Sequence, residues 1–187
     1  MSNRRLQIIA FGAMVLIQWL VPANMILGRE KVLDKGTPYR FKVRPVDPYD
    51  PFRGRYMTLD FEANQFNTDT LSEWMMGETV FVSLATDSIG FANIQDVTHE
   101  PPTDGSDYIT AKLYYSDWRD SFQLLQILYP FDRYYMEETK APEAERIYRE
   151  SLRDSSQTAW ALVHVYQGEA VLKDVLVNGV SITQLIE

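Results

Sequence analysis

Cysteine is absent from this chain of 187 residues. Its absence excludes disulfide bonds, thiol catalysis, thiolate metal sites and attachment as a lipoprotein. A domain built from this chain must therefore be stabilised by its hydrophobic core alone. The 11 tyrosine, 9 phenylalanine and 4 tryptophan residues supply enough aromatic surface for such a core.

Histidine is scarce, with only His99 and His164, which lie far apart in the sequence. Two distant histidines without cysteine do not make a zinc site, and the spacing of Asp47, Asp50 and Asp60 matches no calcium-binding loop. The sequence also lacks a Gly-x-Ser-x-Gly motif and a glycine-rich phosphate loop. We therefore predict no metal and no cofactor, and we favour a non-catalytic protein over an enzyme.

Basic residues are too few for a nucleic-acid-binding protein. The chain has 18 lysine and arginine residues against 26 aspartate and glutamate residues, a net charge of -8. An acidic surface repels phosphate backbones, so we predict no binding to nucleic acid. A basic cluster between Arg29 and Arg44 comes after an apolar segment, where it could meet anionic lipid headgroups.

Charge is missing altogether from the segment between Leu6 and Leu27. As a helix that rises about 1.5 Å per residue, this segment can cross a hydrocarbon core of roughly 30 Å. We predict a cytoplasmic tail at residues 1–5, a transmembrane anchor in the lipid bilayer at residues 6–27, and one extracytoplasmic domain at residues 28–187. A cleaved signal peptide is the alternative, because Val21-Pro22-Ala23 could be cut by a signal peptidase, but the apolar run continues past it.

Positive charges flank the apolar segment on both sides. Arg4 and Arg5 favour a cytoplasmic N-terminus, whereas Arg29, Lys31 and Lys35 lie just after the segment. Because an anchor with such a short tail usually exports the domain attached to its C-terminal end, we predict a single-pass protein of the cytoplasmic (inner) membrane. Its C-terminal domain would lie outside the cytoplasm.

Gln18 lies deep within the apolar segment, where the bilayer offers no water to its amide. The amide could bond to the backbone of its own helix, or it could contact a second membrane helix. The second alternative would indicate a membrane-protein partner.

Alternating apolar residues in the rest of the chain predict a β-rich α+β domain with mainly antiparallel pairing. Tyr39, Phe41 and Val43 alternate with basic residues, as in a half-buried strand with a basic outer face. Further strands are predicted at residues 57–61, 80–84, 91–94, 108–115, 122–128, 159–166, 170–177 and 180–185.

Turn and helix signals separate these strands. Gln167-Gly168-Glu169 predicts a hairpin, and Asn178-Gly179 predicts a tight turn. Two short helices are predicted, over residues 70–76 and over residues 142–153, where Pro142 stands in the first turn and apolar residues recur on one face.

A proline-rich connection runs from Pro45 to the strand that ends at Phe61. Three prolines within seven residues restrict the backbone. Asp47 and Asp50 can cap turns, and Gly54 permits a backbone conformation that its neighbours avoid. We predict a rigid connection between two strands.

Part of this connection resembles the GDYXXLXY family of bacterial membrane-anchored proteins, which is named after its motif. Gly54, Tyr56 and Leu59 match the motif, whereas Arg55 replaces its aspartate and Phe61 replaces its final tyrosine. The resemblance implies an N-terminal anchor and an extracytoplasmic domain, and it implies no reaction. Because the change to Arg55 reverses a charge, a role of the motif's carboxylate does not transfer to this chain.

Two segments form the candidate functional site. The first is the motif-bearing loop, whose candidate residues are Asp47, Asp50, Arg53, Gly54, Arg55, Tyr56 and Leu59. The second precedes the longer predicted helix, also resembles the family, and contributes Tyr134, Tyr135, Glu137 and Glu138. If the two segments meet, their four carboxylates could act as acids and bases, but ion pairing or turn capping is the role that we favour.

Six aromatic residues enrich the middle of the chain, and we expect most of them in the core. If several were exposed together, they would suit sugar stacking or a protein interface. These residues are Tyr114, Tyr115, Trp118, Tyr129, Tyr134 and Tyr135.

Three functional hypotheses are consistent with these patterns. The leading one is a membrane-anchored accessory protein of the cell envelope that binds a polytopic membrane protein and is not itself an enzyme. The second is a module that binds envelope glycan through exposed aromatic residues. The third is a hydrolase that depends on aspartate or glutamate.

Overall fold

The computed structural model describes residues 3–44, 56–69, 73–119, 122–153 and 157–186. A long apolar helix is followed by a mainly antiparallel β domain with two short helices, which confirms the predicted α+β class. The helices are α1 (Asn3–Lys35), α2 (Ala141–Arg153) and α3 (Ile182–Leu185). The strands are β1 (Thr37–Arg44), β2 (Tyr56–Thr58), β3 (Asp60–Phe61), β4 (Gln65–Thr68), β5 (Thr79–Thr86), β6 (Ala92–Thr98), β7 (Tyr108–Arg119), β8 (Phe122–Leu128), β9 (Arg133–Tyr135), β10 (Ala159–Tyr166), β11 (Glu169–Val177) and β12 (Val180–Ser181).

Helix α1 extends beyond both ends of the predicted apolar segment, with Pro22 inside it. The helix is long and apolar enough to span a membrane, and its apolar part is exposed along its length. At 1.5 Å per residue it measures about 50 Å, more than a hydrocarbon core requires. The predicted boundary between residues 27 and 28 therefore falls inside the helix, whose last turns reach the β domain.

The end of α1 is packed against the domain at a region that we call the junction, formed by Val32, Gly36, Val165 and Tyr166. Val32 is buried, and α1 contacts β10 and β11. Gly36 is the only residue between α1 and β1, and its N–H donates to the Val32 carbonyl at 2.9 Å. The Lys31 ammonium lies 5.1 Å from the centre of the Tyr166 ring. Helix and domain are thus joined without a linker.

Among the described residues, the domain contains two five-stranded sheets and one two-stranded ribbon. The first sheet has the order β12-β11-β10-β1-β3, the second has the order β4-β8-β7-β5-β6, and the ribbon pairs β2 with β9. The edge strands β4 and β6 contact each other, so the second sheet curls around the core. The buried faces of both sheets contribute to one hydrophobic cluster.

The predicted hairpin and tight turn are both present. Gln167 and Gly168 adopt φ values of 50° and 86° between β10 and β11, and Asn178 and Gly179 adopt 52° and 85° between β11 and β12. Positive φ at both central residues is what a two-residue hairpin turn requires.

Two predicted elements are wrong where the structure describes them. Residues 73–76 are a loop and a turn instead of helix, since the Met75 N–H bonds to the Glu78 carboxylate and the chain turns at Gly77. The remaining residues of that predicted helix, 70–72, lie outside the described residues. The last predicted strand ends at Ser181 and becomes α3, because Ile182 and Ile186, four residues apart, both pack on the core.

Candidate functional site

The ribbon of β2 and β9 joins the two segments that the sequence singled out. Tyr56 lies opposite Tyr135 in this antiparallel pair, and Met57 lies opposite Tyr134. The Leu59 N–H extends the contact by donating to the Asp132 carbonyl at 2.8 Å. The motif and the segment before α2 are therefore neighbours in the fold.

The outer face of the ribbon carries two tyrosines and one arginine. The Tyr56 and Tyr135 rings lie 5.5 Å apart, and the Arg133 guanidinium lies 4.9 Å from the centre of the Tyr56 ring. A hydrogen bond with Tyr135, and then the proximity of Tyr56, raise the pKa of Arg133. This exposed cluster holds the arginine in a fixed place by a cation–π contact and a hydrogen bond.

The inner face of the motif belongs to the core. Met57, Leu59 and Phe61 are all buried, as their alternation in the sequence predicted. Phe61 lies among the rings of Phe41, Tyr129 and Phe131, with centroid distances between 5.3 and 6.1 Å. Leu59 therefore has a packing role, and so does Phe61, which stands where the motif ends in tyrosine.

The second segment is tied to the first sheet through Tyr134. Its hydroxyl donates to Asp174 Oδ1 at 3.2 Å, and the Ser181 hydroxyl donates to the same oxygen at 3.0 Å. Burial, followed by the charge of Asp174, raises the pKa of Tyr134 to about 12. The residue directly after β9, Met136, also packs against the core. Tyr134 thus positions the ribbon against β11.

The catalytic hypothesis from four carboxylates remains a prediction. Glu137 lies on an exposed turn, where its carboxylate is 3.9 Å from the Lys140 ammonium and its carbonyl accepts the N–H groups of Lys140 and Ala141. Glu138 is exposed on the same turn. The other candidates of the motif-bearing loop, Asp47, Asp50, Arg53, Gly54 and Arg55, lie outside the described residues.

A partly open cavity of about 130 Å³ lies beside the ribbon, which we call the motif cavity. Three consecutive residues of the motif strand line it, together with residues of β7, β8 and the segment before β9. Its walls combine buried apolar side chains with two carboxylates, two amides and two tyrosines. The lining residues are Leu59, Asp60, Phe61, Asn64, Tyr114, Gln126, Ile127, Leu128, Tyr129 and Asp132.

Asp60 is held in place by three donors. Arg44 Nε donates to Oδ2 at 2.5 Å, and Asn64 Nδ2 and the Phe61 N–H donate to Oδ1 at 2.6 and 3.0 Å. Asn64 is only 4% exposed, and its Oδ1 has no hydrogen-bond partner among the described residues. Asn64 therefore keeps a buried, unpaired acceptor behind the cavity wall, next to a carboxylate that is already balanced by an arginine.

A family model described as GDYXXLXY protein matches residues 18–175 of the chain. The chain belongs to this family. The matched range includes both strands of the ribbon and every residue that lines the motif cavity. No curated protein and no solved structure matches the chain.

The GDYXXLXY motif contains a polar residue that we did not place in the candidate site. Asp60 lies between the core residues Leu59 and Phe61, so the alternation already directed its side chain away from the core. That signal could have identified Asp60 as a site residue. Asn64 follows the motif strand outside its alternation, and Asp132 reaches the motif only through the fold, so neither residue carried a comparable signal.

The expectation for the six aromatic residues is wrong for most of them. Tyr129 is buried and Tyr134 is half-buried, but Tyr114, Tyr115 and Trp118 of β7 are exposed, as is Tyr135. The cause is that β7 pairs with β5 only as far as Lys112, so the rest of β7 pairs with β8 alone. Three aromatic side chains of β7, those of Tyr114, Tyr115 and Trp118, are exposed as a result.

The two histidines lie in different surroundings. His99 stacks on Trp74 at 4.1 Å, with its Nδ1 3.5 Å from Glu78. His164 lies on β10, and partial burial, followed by the charge of Lys173, lowers its pKa. Within the described ranges, no group of three histidine, aspartate or glutamate side chains could hold a metal ion.

Proposed function

We propose that this protein is a membrane-anchored accessory protein of the bacterial cell envelope that binds a polytopic membrane protein and has no catalytic activity of its own. Helix α1 acts as a single-pass signal anchor in the cytoplasmic membrane. The β domain lies outside the cytoplasm, on the periplasmic side. Gln18 is available in the helix for a hydrogen bond with a helix of the partner.

The junction is the observation that carries this proposal. Val32 of α1 is buried in the domain, and Gly36 alone separates the helix from β1. A domain joined in this way keeps one orientation relative to its helix, whereas a domain on a flexible linker samples many. A fixed orientation favours docking on another membrane protein, because both surfaces then meet without a large loss of conformational entropy.

The position of the candidate site adds a second argument. The junction lies at Thr37, the first residue of β1, and Arg44, the last, reaches Asp60 of the motif cavity. Eight residues of strand place the motif cavity roughly 20 Å from the end of α1. A partner that reaches this site needs a loop or domain outside the membrane, which a polytopic membrane protein can supply.

The absence of cysteine permits a direct test of orientation. In Thr103→Cys the only thiol lies on an exposed loop of the domain, and in Ser2→Cys it lies in the N-terminal tail. We expect a membrane-impermeant maleimide to label Thr103→Cys and not Ser2→Cys in intact cells with a permeabilised outer barrier. The reverse pattern would contradict the proposed topology.

The partner is tested by photocrosslinking in native membranes, followed by mass spectrometry. Tyr115 is replaced by p-benzoylphenylalanine, because its side chain is exposed and its neighbour in the chain, Tyr114, lines the motif cavity. We expect one abundant polytopic protein.

Two matched variants carry an insertion of about four glycine and serine residues, a length that gives a flexible linker. One insertion lies between Gly28 and Arg29, and the control insertion lies in the exposed loop at residues 103–104.

The insertion in α1 should reduce the crosslink strongly, and the insertion in the loop should not. Equal crosslinking of both variants would contradict the role of the fixed orientation. If no protein is enriched with any variant, the accessory function itself is wrong.

The three exposed aromatic residues of β7, Tyr114, Tyr115 and Trp118, favour glycan binding as a second candidate function. Exposed tyrosine and tryptophan rings can stack on sugar rings. Addition of soluble envelope glycan fragments should then change the tryptophan fluorescence of the protein, and Trp118→Ala should abolish the change. An unchanged fluorescence spectrum at saturating glycan would exclude this function.

A further inference from the structure

We propose that a membrane helix of the partner packs against the face of α1 that carries Gln18, directly beneath the β domain. The inference rests on the proposed function, because it takes α1 as a membrane anchor, and it names the part of the partner that α1 binds. It is supported by the polar groups at Gln18, by the direction of this helix face and by the position of the domain.

Gln18 places two polar groups without partners near the middle of the apolar segment. The segment runs from Leu6 to Leu27, so Gln18 lies close to its centre, and a glutamine side chain does not extend the roughly 15 Å to either interface. The side chain is exposed and has no hydrogen bond with a described residue. Pro22, four residues later in the same helix, has no N–H to donate to the Gln18 carbonyl. Both groups lie at a depth where the bilayer offers no water.

A contact within α1 does not satisfy the amide of Gln18 completely. Its nitrogen carries two donors, and its oxygen is an acceptor. A backbone carbonyl of the same helix can accept from the nitrogen, but the N–H groups of the neighbouring turns are already donated along the helix, so none is left for the oxygen. The amide oxygen and the Gln18 carbonyl therefore need donors from outside α1. Serine, threonine, asparagine and glutamine on a neighbouring membrane helix carry such donors.

The face of α1 that carries Gln18 also packs against the β domain. At about 100° per residue, Gln18 and Val32 lie within about 40° of each other around the helix axis. Met14 and Met25 lie on the same face, within about 20° of Val32. Because Val32 is buried where α1 contacts β10 and β11, the domain lies on the same side of α1 as Gln18.

The position of the domain excludes a second copy of this chain on that face. The hairpin of β10 and β11 lies beside the last turns of α1, where the Lys31 ammonium is over the Tyr166 ring. Two packed helices lie about 8–10 Å apart, whereas a domain of about 150 residues has a radius of gyration of about 15 Å. In a symmetric dimer through this face, both domains would point toward the symmetry axis and overlap.

The occupant is therefore a helix of another protein that carries no large domain directly outside the membrane. A polytopic protein whose membrane helices are joined by short loops offers such helices. The helix that binds here should carry a serine, threonine, asparagine or glutamine near the bilayer midplane, where it meets Gln18.

Photocrosslinking within the membrane tests which face of α1 is occupied. p-Benzoylphenylalanine replaces Met14 in one variant of the full-length protein, and in the matched control it replaces Leu16, which lies about 160° away around the helix at nearly the same depth. In native membranes we expect the Met14 position to crosslink to the same polytopic protein as the Tyr115 position, and the Leu16 position not to crosslink to it. Equal yields from Met14 and Leu16, or a product with the mass of two copies of this chain, would overturn the inference.

Gln18→Leu tests the polar contact, and Gln7→Leu is its matched control. Gln7 lies on the same face but at the end of the apolar segment, where the amide can reach water. We expect Gln18→Leu to lower the yield of the Met14-position crosslink about threefold or more, and Gln7→Leu to leave it unchanged. Both substitutions lie outside the β domain, so both variants should keep its melting temperature. An unchanged yield with Gln18→Leu would overturn the inference.

The outcomes separate this inference from the proposed function. A crosslink from the Tyr115 position without one from the Met14 position overturns the inference and leaves the accessory function intact. The absence of a crosslink from every position overturns both. The crosslinked peptide of the partner, identified by mass spectrometry, should contain one of the four polar residues near the bilayer midplane, and a peptide that lacks them would overturn the inference as well.

Discussion

Strand β1 connects two regions that differ in how closely their atoms pack and in whether their polar groups have hydrogen-bond partners. At its first residue, the junction packs Val32, Gly36 and Val165 so closely that no additional atom fits. At its last residue, the motif cavity leaves about 130 Å³ unfilled and one buried amide oxygen unpaired among the described contacts. Both regions lie within the residues that the family model matches, and both include part of β1.

The difference shows where each region contributes to function. Close packing at the junction fixes the domain on its helix, and it needs no ligand to be complete. An unsatisfied buried polar group costs on the order of 1–3 kcal/mol, so the Asn64 oxygen lowers the stability of the region around the motif cavity. Mutations at the junction should therefore cost more stability than mutations beside the motif cavity.

Gly36→Ala should produce the largest loss of stability. An added Cβ would lie 2.4 Å from the Val32 carbonyl oxygen and 3.0 Å from that of Val165, and both are backbone atoms that cannot rotate away. We expect a loss of about 2–4 kcal/mol in the free energy of unfolding, because the end of α1 must move away from the domain. Thermal melting of the full-length protein in detergent, followed by near-UV circular dichroism, measures this loss.

Gly28→Ala is the control for Gly36→Ala, because it lies in the same helix and a Cβ there meets nothing within 4 Å. It should preserve or slightly raise the melting temperature, since alanine is the better helix former by about 1 kcal/mol. Equal melting of the two variants would show that the junction is not closely packed.

Gly168→Ala should have the second largest effect. Gly168 has a φ of 86°, an added Cβ would lie 2.6 Å from Tyr108 Cε2, and its carbonyl accepts the Thr110 N–H at 2.8 Å. We expect a loss of about 2 kcal/mol from backbone strain and crowding together. Gly105→Ala has a similar φ of 82° in open space, so it should lose only about 1 kcal/mol. The difference in melting temperature between Gly168→Ala and Gly105→Ala measures the crowding at the hairpin. Equal melting temperatures would contradict this crowding.

The junction and the motif cavity also differ in how far the sequence predicted them. The hairpin at Gly168 and the strand from Ala159 to Tyr166 were predicted from turn residues and alternation, which are local signals. The continuation of α1 to Lys35 was not predicted, because the charged residues after Leu27 suggested that the helix ends at the membrane surface. Burial of Val32 against β10 overrides that local signal.

The candidate site was predicted in part. Similarity to a family selected Tyr56 and Tyr135, and the structure pairs them, but the motif cavity depends on contacts between distant segments. Asn64 and Asp132 are separated in the sequence by all five strands of the second sheet, and only sheet topology brings them together. Exposure of Tyr114 likewise results from the length of β7 relative to β5, which composition does not encode.

Tyr134→Phe should have a moderate effect, because this tyrosine links the ribbon beside the motif cavity to β11. Loss of the hydrogen bond to Asp174 should cost about 1 kcal/mol. The pKa of Tyr134 is raised to about 12 in the folded protein, above about 10 in the unfolded chain, so its contribution is complete below about pH 10 and is lost as the pH rises toward about 12. The melting temperature of Tyr134→Phe should therefore lie below that of the parent at about pH 8, and the two should approach each other at about pH 11. Tyr115→Phe, at an exposed position of β7, should match the parent at both pH values, and a persistent gap for Tyr134→Phe at the higher pH would contradict the linkage.

The smallest expected effect is a loss of stability at acidic pH that arises from His164 at the junction. This histidine lies on β10 opposite Pro38, and its pKa is lowered by partial burial and then by Lys173 on β11, while the backbone of Leu33 on α1 opposes the shift. Because the folded protein favours neutral histidine, its contribution is complete above the unfolded pKa of about 6.5 and is lost as the pH falls below it. We expect a decrease in melting temperature of roughly 1–3 °C between about pH 7 and about pH 5 that His164→Gln removes and Lys173→Gln reduces. The same decrease should occur in Asp132→Asn, since the motif cavity lies at the other end of β1. If the decrease disappears in Asp132→Asn, the acid effect does not arise at the junction.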